Sequence, residues 1–211
     1  MNTRGRRAAA EFLGTAFLLA AVVGSGIMGE RLSGGNGALA LLVNALATGA
    51  ALIVLILTFG PVSGAHFNPV VTLASACRGA LPWKEAPAYL GAQFAGAVAG
   101  VALANLMFEG PVVSLSRHVR EGPAQWLSEA VATFGLLAVI IGCARHRPGA
   151  VPFAVGAYIA SAYWFTASTS FANPAVTIAR TLTDTFAGIR PADAPGFIAA
   201  QLAGAAAAVG L

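Results

Sequence analysis

Charge is what this sequence has least of. Its 211 residues include 8 Asp and Glu and 12 Lys and Arg, 9% in all, against 57% apolar residues; a soluble domain carries close to a quarter charged residues. No charge falls within residues 32–77, 86–108 or 148–179. Uncharged apolar runs of that length are membrane spans. Cysteine is nearly absent too. Cys77 and Cys143 are too few for a disulfide framework and neither stands in a metal-ligand spacing, so both read as inert thiols. There is no His-Glu-x-x-His, no Gly-x-Ser-x-Gly and no metal-ligand cluster, which sets aside an enzyme and leaves no metal or cofactor to expect. The net charge of +4 is spread over scattered arginines with no aromatic-laced basic face, a pattern of a membrane surface and not of nucleic-acid binding.

Arg4, Arg6 and Arg7 precede an apolar stretch in the manner of a signal peptide, but residues 12–29 are too long for its apolar core, so the stretch reads as a retained span. Six segments have about the length to cross a membrane: residues 8–28, 38–59, 87–107, 123–143, 150–166 and 195–211. The last is short and the chain stops within it, so a missing C-terminal tail is expected. Two apolar pieces, 68–77 and 173–182, are only half a span long, and such pieces must be buried in protein or line a cavity.

Those half-spans are one block written twice. Asn68-Pro69-Val70-Val71-Thr72-Leu73-Ala74 matches Asn173-Pro174-Ala175-Val176-Thr177-Ile178-Ala179. Glu11 precedes the first block and Glu129 the second, each with Thr four residues on; Gln93 and Gln201 follow. The chain is thus a single transmembrane domain, 1–211, with repeats at about 8–108 and 123–211. Three spans per repeat turn the second copy upside down relative to the first. The expected fold is an all-α membrane protein of six transmembrane helices and two re-entrant half-helices. The inner segments hold seven Lys and Arg and the outer ones five, which places the N-terminus in the cytoplasm.

Asn is a strong N-cap and Pro is favoured at the first helical position, so each Asn-Pro pair starts a helix at Pro69 or Pro174. In inverted copies the two helix starts meet at the midplane with their positive dipole ends together. The side-chain amides of Asn68 and Asn173 then offer donors to a water or hydroxyl oxygen in a place hostile to cations. Glu11 and Glu129, inside spans, are either proton carriers or acceptors that hold the loops, the latter favoured by the cost of an unpaired carboxylate. His66 is either a gate at the inner mouth or a hydrogen-bonded packing residue, the second being favoured. Gly96 and Gly100, and likewise Ala200, Gly204 and Ala208, mark close-approach helix faces, expected between the two repeats. Tyr163, Trp164 and Phe165 read as an interfacial aromatic anchor, the alternative being a pore-lining role for one of them.

Ser63-Gly64-Ala65-His66-Phe67-Asn68-Pro69-Val70-Val71-Thr72 and Phe171-Ala172-Asn173-Pro174-Ala175-Val176-Thr177 resemble the paired signature loops of the aquaporin, or major intrinsic protein, family. The resemblance runs from Glu11 to Gln201. It implies a pore in each subunit of a homotetramer in the cell (cytoplasmic or inner) membrane, with the loops supported by Glu11, Glu129 and His66. Val70 replaces the usual Ala and is expected to add bulk near the midplane. Val176 stands where the family's outer constriction carries an Arg, so the filter is expected to lose its fixed cation. By family spacing the other filter positions fall on Thr48, Ser161 and Ser170 or Phe171, with an insertion allowed for in 168–172. Val176 and Thr48 leave room for a solute of glycerol size. The combination resembles the bacterial branch found with arsenic-resistance genes, which implies passage of neutral arsenous acid. The expected function is therefore a passive channel for small neutral solutes across the lipid bilayer. The alternatives are a strict water channel and an inverted-repeat secondary transporter.

Overall fold

In the computed structural model the described residues, 3–211, form eight α-helices: α1 (Arg4–Leu32), α2 (Gly37–Ser63), α3 (Pro69–Cys77), α4 (Ala86–Met107), α5 (Pro123–His146), α6 (Val151–Phe165), α7 (Pro174–Arg180) and α8 (Ala194–Val209). Their starts are written locally. Helices α3 to α8 each carry Pro in the first turn, where the missing N–H costs nothing. Helix α2 is capped by Asn36, whose side chain accepts from the N–H groups of Ala38 and Leu39, and it stops at Gly64 in the left-handed conformation. Helices α3 and α7, of nine and seven residues, are the two half-spans. Among the described residues five helices are long and apolar enough to cross a membrane, α4 and α8 together with the short turns before them, whereas α6, with 15 residues, is shorter than these.

Polarity is inside out. Glu11, Gln93, Thr72, Glu129, Thr177 and Gln201 are completely buried, whereas Phe17, Leu46, Val54 and Leu127 are exposed on the outer faces. Such a surface suits lipid and not water. With no hydrophobic drive between helices in lipid, close packing relies on small residues. A Cβ on Gly96 would lie 2.3 Å from the Phe12 carbonyl oxygen, and one on Gly100 2.2 Å from that of Ala16. Gly204 meets Ala130 in the same way, at 2.2 Å. These faces therefore join α4 to α1 and α8 to α5, each within its own repeat, contrary to the expected inter-repeat contact. The close contact across repeats is made instead by Gly49 on α2 and Gly156 on α6, where a Cβ on Gly156 would come within 2.5 Å of the Gly49 carbonyl oxygen. Both pairings appear wherever a Gly finds a backbone to approach, and spacing alone does not say which.

Candidate functional site at the meeting of the two half-helices

Two half-helices begin at one place. The Asn68 carboxamide oxygen accepts from the Val70 N–H, and that of Asn173 from Ala175 and Val176. Each Asn also reaches across the repeat: Asn68 Nδ2 donates to the Ala172 carbonyl at 2.7 Å and Asn173 Nδ2 to the Phe67 carbonyl at 2.9 Å. The carbonyl accepted in each case belongs to the residue before the other Asn. This reciprocal clasp needs both loops in place, and sequence reasoning about the caps alone missed it.

The loops that deliver the two Asn residues share one backbone path. Gly64, Ala65 and Phe67 have positive φ in the first, Thr169, Ser170 and Ala172 in the second. Non-Gly residues there cost about 1–3 kcal/mol each and persist only when the surroundings hold them. The holding is done by the buried carboxylates. Glu11 accepts from Ser63 Oγ, from the N–H groups of His66 and Phe67 and from Gln93 Nε2. Glu129 accepts from the N–H groups of Phe171 and Ala172 and from Gln201 Nε2. Ser63 Oγ accepts from the N–H two residues on, and so does Ser168 Oγ. The register from Ser to Asn is thus the same in both loops, and 168–172 carries no insertion relative to 63–67.

Asn68 and Asn173 border a cavity of about 240 Å³. Its wall is mostly apolar, with Leu52, Ile56, Val155 and Ile159 on α2 and α6. At one end stand Thr48, Tyr163, Ser170, Phe171, Val176 and Arg180; at the other His66 and Ser75. Thr48 Oγ1 lies 3.2 Å from the Tyr163 hydroxyl. Ser161, expected here, is not: it is exposed on the other face of α6 and its hydroxyl donates to the Tyr158 carbonyl. The α6 residues that face the cavity are Val151, Val155, Ile159 and Tyr163, at intervals of four, and Ser161 is about half a turn out of phase. Tyr163 accordingly is buried, while Trp164 and Phe165 are exposed as an anchor would be. Val70, at the half-helix start, packs with Leu137 and Ala205 and does not line the cavity.

Val176 brings no charge of its own to the cavity, but a cation further along the same helix stands at the cavity wall. Arg180, one helical turn beyond Val176, is 1% exposed and borders the cavity. Its Nε donates to the Ala187 carbonyl, and its guanidinium lies 3.4 Å from the centre of the Phe171 ring. Arg120, from the segment between α4 and α5, sits 5.2 Å from the same ring and donates to the Gly188 carbonyl. Burial lowers the Arg120 guanidinium to about 10, still protonated at neutral pH. The His66 ring contacts Thr72 Oγ1 at 3.1 Å through Nδ1 and Ser75 Oγ at 3.4 Å through Nε2. Among the described residues no group of three His, Cys, Asp or Glu is placed to hold a metal ion.

The family profile described as Major intrinsic protein matches residues 2–162. The chain is 58% identical over 206 residues to a protein named Aquaglyceroporin AqpS from Rhizobium meliloti (strain 1021), covering 98% of this chain and 88% of that one. It is 35% identical over 176 residues to Aquaporin NIP1-3 of Oryza sativa subsp. japonica, covering 80% of this chain and 60% of the rice protein. The fold matches the X-ray structure of the aquaglyceroporin from Plasmodium falciparum with a TM-score of 0.77 at 20% identity, over 99% of this chain and 95% of that one.

Proposed function

This chain belongs to the major intrinsic protein family, a family of membrane channels, and on that footing we propose that it is a passive channel for small uncharged solutes: water, glycerol-sized polyols and arsenite as neutral arsenous acid. The observation that carries this reading is the meeting of two Asn-capped helix starts on one cavity. Each Asn amide spends one N–H on the opposite loop and has a second to offer a passing oxygen. Two positive dipole ends favour water and hydroxyl oxygens there and oppose cations. The apolar walls hold little else by hydrogen bonding, so a solute moves between a few polar stations.

Glycerol-sized passage is supported by Val176, which takes little space at the filter, by the hydroxyls of Thr48, Tyr163 and Ser170, and by the 58% identity to the Aquaglyceroporin AqpS of Rhizobium meliloti. Arsenous acid is an uncharged trihydroxyl of similar size at neutral pH and meets the same tests. The protein acts as a homotetramer of four separate pores in the cell (inner) membrane, with a cytoplasmic N-terminus and one channel domain of two repeats, and it carries out no chemistry on what it passes.

Stopped-flow measurements on proteoliposomes with water, glycerol and arsenous acid test the reading. Linear, unsaturable, gradient-driven flux of all three is expected; saturable flux coupled to an ion gradient replaces the channel with a transporter. Val176→Arg is expected to cut glycerol and arsenous acid flux relative to water by about tenfold or more. Unchanged ratios remove Val176 from the filter and the size argument with it.

A further inference from the structure

Val176 has no charge to offer the cavity, yet the same helix brings one a turn later. Positions four apart share a helix face, and Arg180, at the end of α7, lines the same cavity as Val176. The guanidinium is pinned by its stack on Phe171 and by the bond from Nε to Ala187. Among the described residues its remaining N–H groups have no hydrogen-bond acceptor, and Arg180 lines the cavity. Arg120 stands against the same Phe171 ring, held by main-chain carbonyls including that of Gly188. Neither guanidinium has a carboxylate within ion-pairing distance among the described residues. On the same cavity the buried Ser170 Oγ has no hydrogen-bond partner among the described residues.

We propose that Arg180, backed by Arg120, is the fixed charge of the constriction at this end of the pore, excluding cations and presenting donors, with Ser170, to a hydroxyl oxygen of the passing solute. The proposal rests on the channel reading above and assigns the specificity-determining residue within it. An arginine keeps its charge across the physiological pH range. In a narrow passage poor in water, its repulsion of a second cation far exceeds that in bulk solvent. The register of the repeats makes the barrier one-sided. Counted from Asn68, the partner position of Arg180 is Ser75, and that of Phe171 is His66; Ser75 brings a hydroxyl and no fixed charge to the other end.

Parent and variants are reconstituted in vesicles and read by glycerol-driven swelling and by proton and sodium conductance, each normalised to inserted protein. Arg180→Met is expected to raise proton and sodium conductance by about tenfold or more. Arg180→Gln, which keeps a donor for the Ala187 carbonyl, is expected to do the same and decides the matter where the Met variant does not insert. Combining Arg180→Met with Val176→Arg returns the charge one turn earlier and is expected to bring the leak back toward the parent. A purely structural Arg180 would lower yield or melting temperature in these variants without opening them to cations. Parental cation conductance in inserted Gln or Met variants therefore overturns the proposal. Parent vesicles with no gradient-driven solute flux overturn the channel reading instead.

Discussion

Glu11 and Glu129 hang their loops by matching bonds, each accepting from two consecutive loop N–H groups and from a Gln of the last helix in its own repeat. Gln93 and Gln201 each donate in turn to the Thr of the adjacent half-helix, Thr72 and Thr177, both at 2.9 Å. The side chains laid on this common frame diverge. Phe67 fits because Gly14 faces it, where a Cβ would lie 2.0 Å from the ring; the second repeat has Ala172 and Ala132 at the matching positions. His66 and Ser75 become Phe171 and Arg180. Positions that carry backbone hydrogen bonds cannot change without stranding donors, whereas positions that meet only a cavity or one another can exchange in pairs.

Removing the carboxylates strains that comparison most. Glu129→Ala strands three buried donors and Glu11→Ala four, at about 1–3 kcal/mol per stranded donor. Both variants should lose most folded protein, with Glu11→Ala the worse, as measured by thermal denaturation in detergent micelles. A Glu129→Ala protein as stable as the parent would break the equivalence of the two suspensions.

A smaller effect separates pairwise exchange from independent tolerance. Gly14→Ala pushes a methyl into the Phe67 ring and should destabilise by about 1–3 kcal/mol. Adding Phe67→Ala copies the second repeat and should recover stability, since the clasp from Asn173 goes to the Phe67 main chain. If the double variant melts at or below the single one, the two positions do not compensate.

The smallest effect concerns the segment after α7, residues 181–190, which is longer than its counterpart after α3, residues 78–82. There Asp184 accepts from the Arg117 N–H and guanidinium, which together hold its carboxyl below the usual carboxylate range. A depressed pKa contributes stability that is complete above the unfolded value of about 3.9 and is lost as pH falls through the folded value. Asp184→Asn should therefore slightly reduce stability at neutral pH and flatten its fall between about pH 4 and the folded value. A pH profile identical to the parent's would show that this pair is idle.

Much of the scaffold was legible because its signals are local. A cap and a proline start a helix in any context, so α3 and α7 could be drawn from Asn68-Pro69 and Asn173-Pro174 alone. Duplication then carried the inversion, and the lone carboxylates in apolar spans pointed to loops in need of acceptors. Ser161 was misplaced because α6 is apolar on nearly every side, so no periodicity separates a lipid-facing residue from one that faces the cavity. Tyr163 stayed open between anchor and pore lining, since an aromatic cluster near a span end looks alike whether it meets lipid or pore.

By itself the sequence determined where the helices from α2 onward begin, to within a residue, that the halves repeat and that the second is inverted, since these depend on neighbours within a few residues and on counting crossings. Only the tertiary structure decided which faces meet: Gly96 on Phe12, Gly49 on Gly156, Asn68 on Ala172, and Arg180 on Phe171. In a bilayer the outer surface and much of the cavity wall are both apolar, so composition does not mark the inward face. A charge at position 180 acquires its place in the pore only when the loop carrying Phe171 and the carbonyl of Ala187 fold around it.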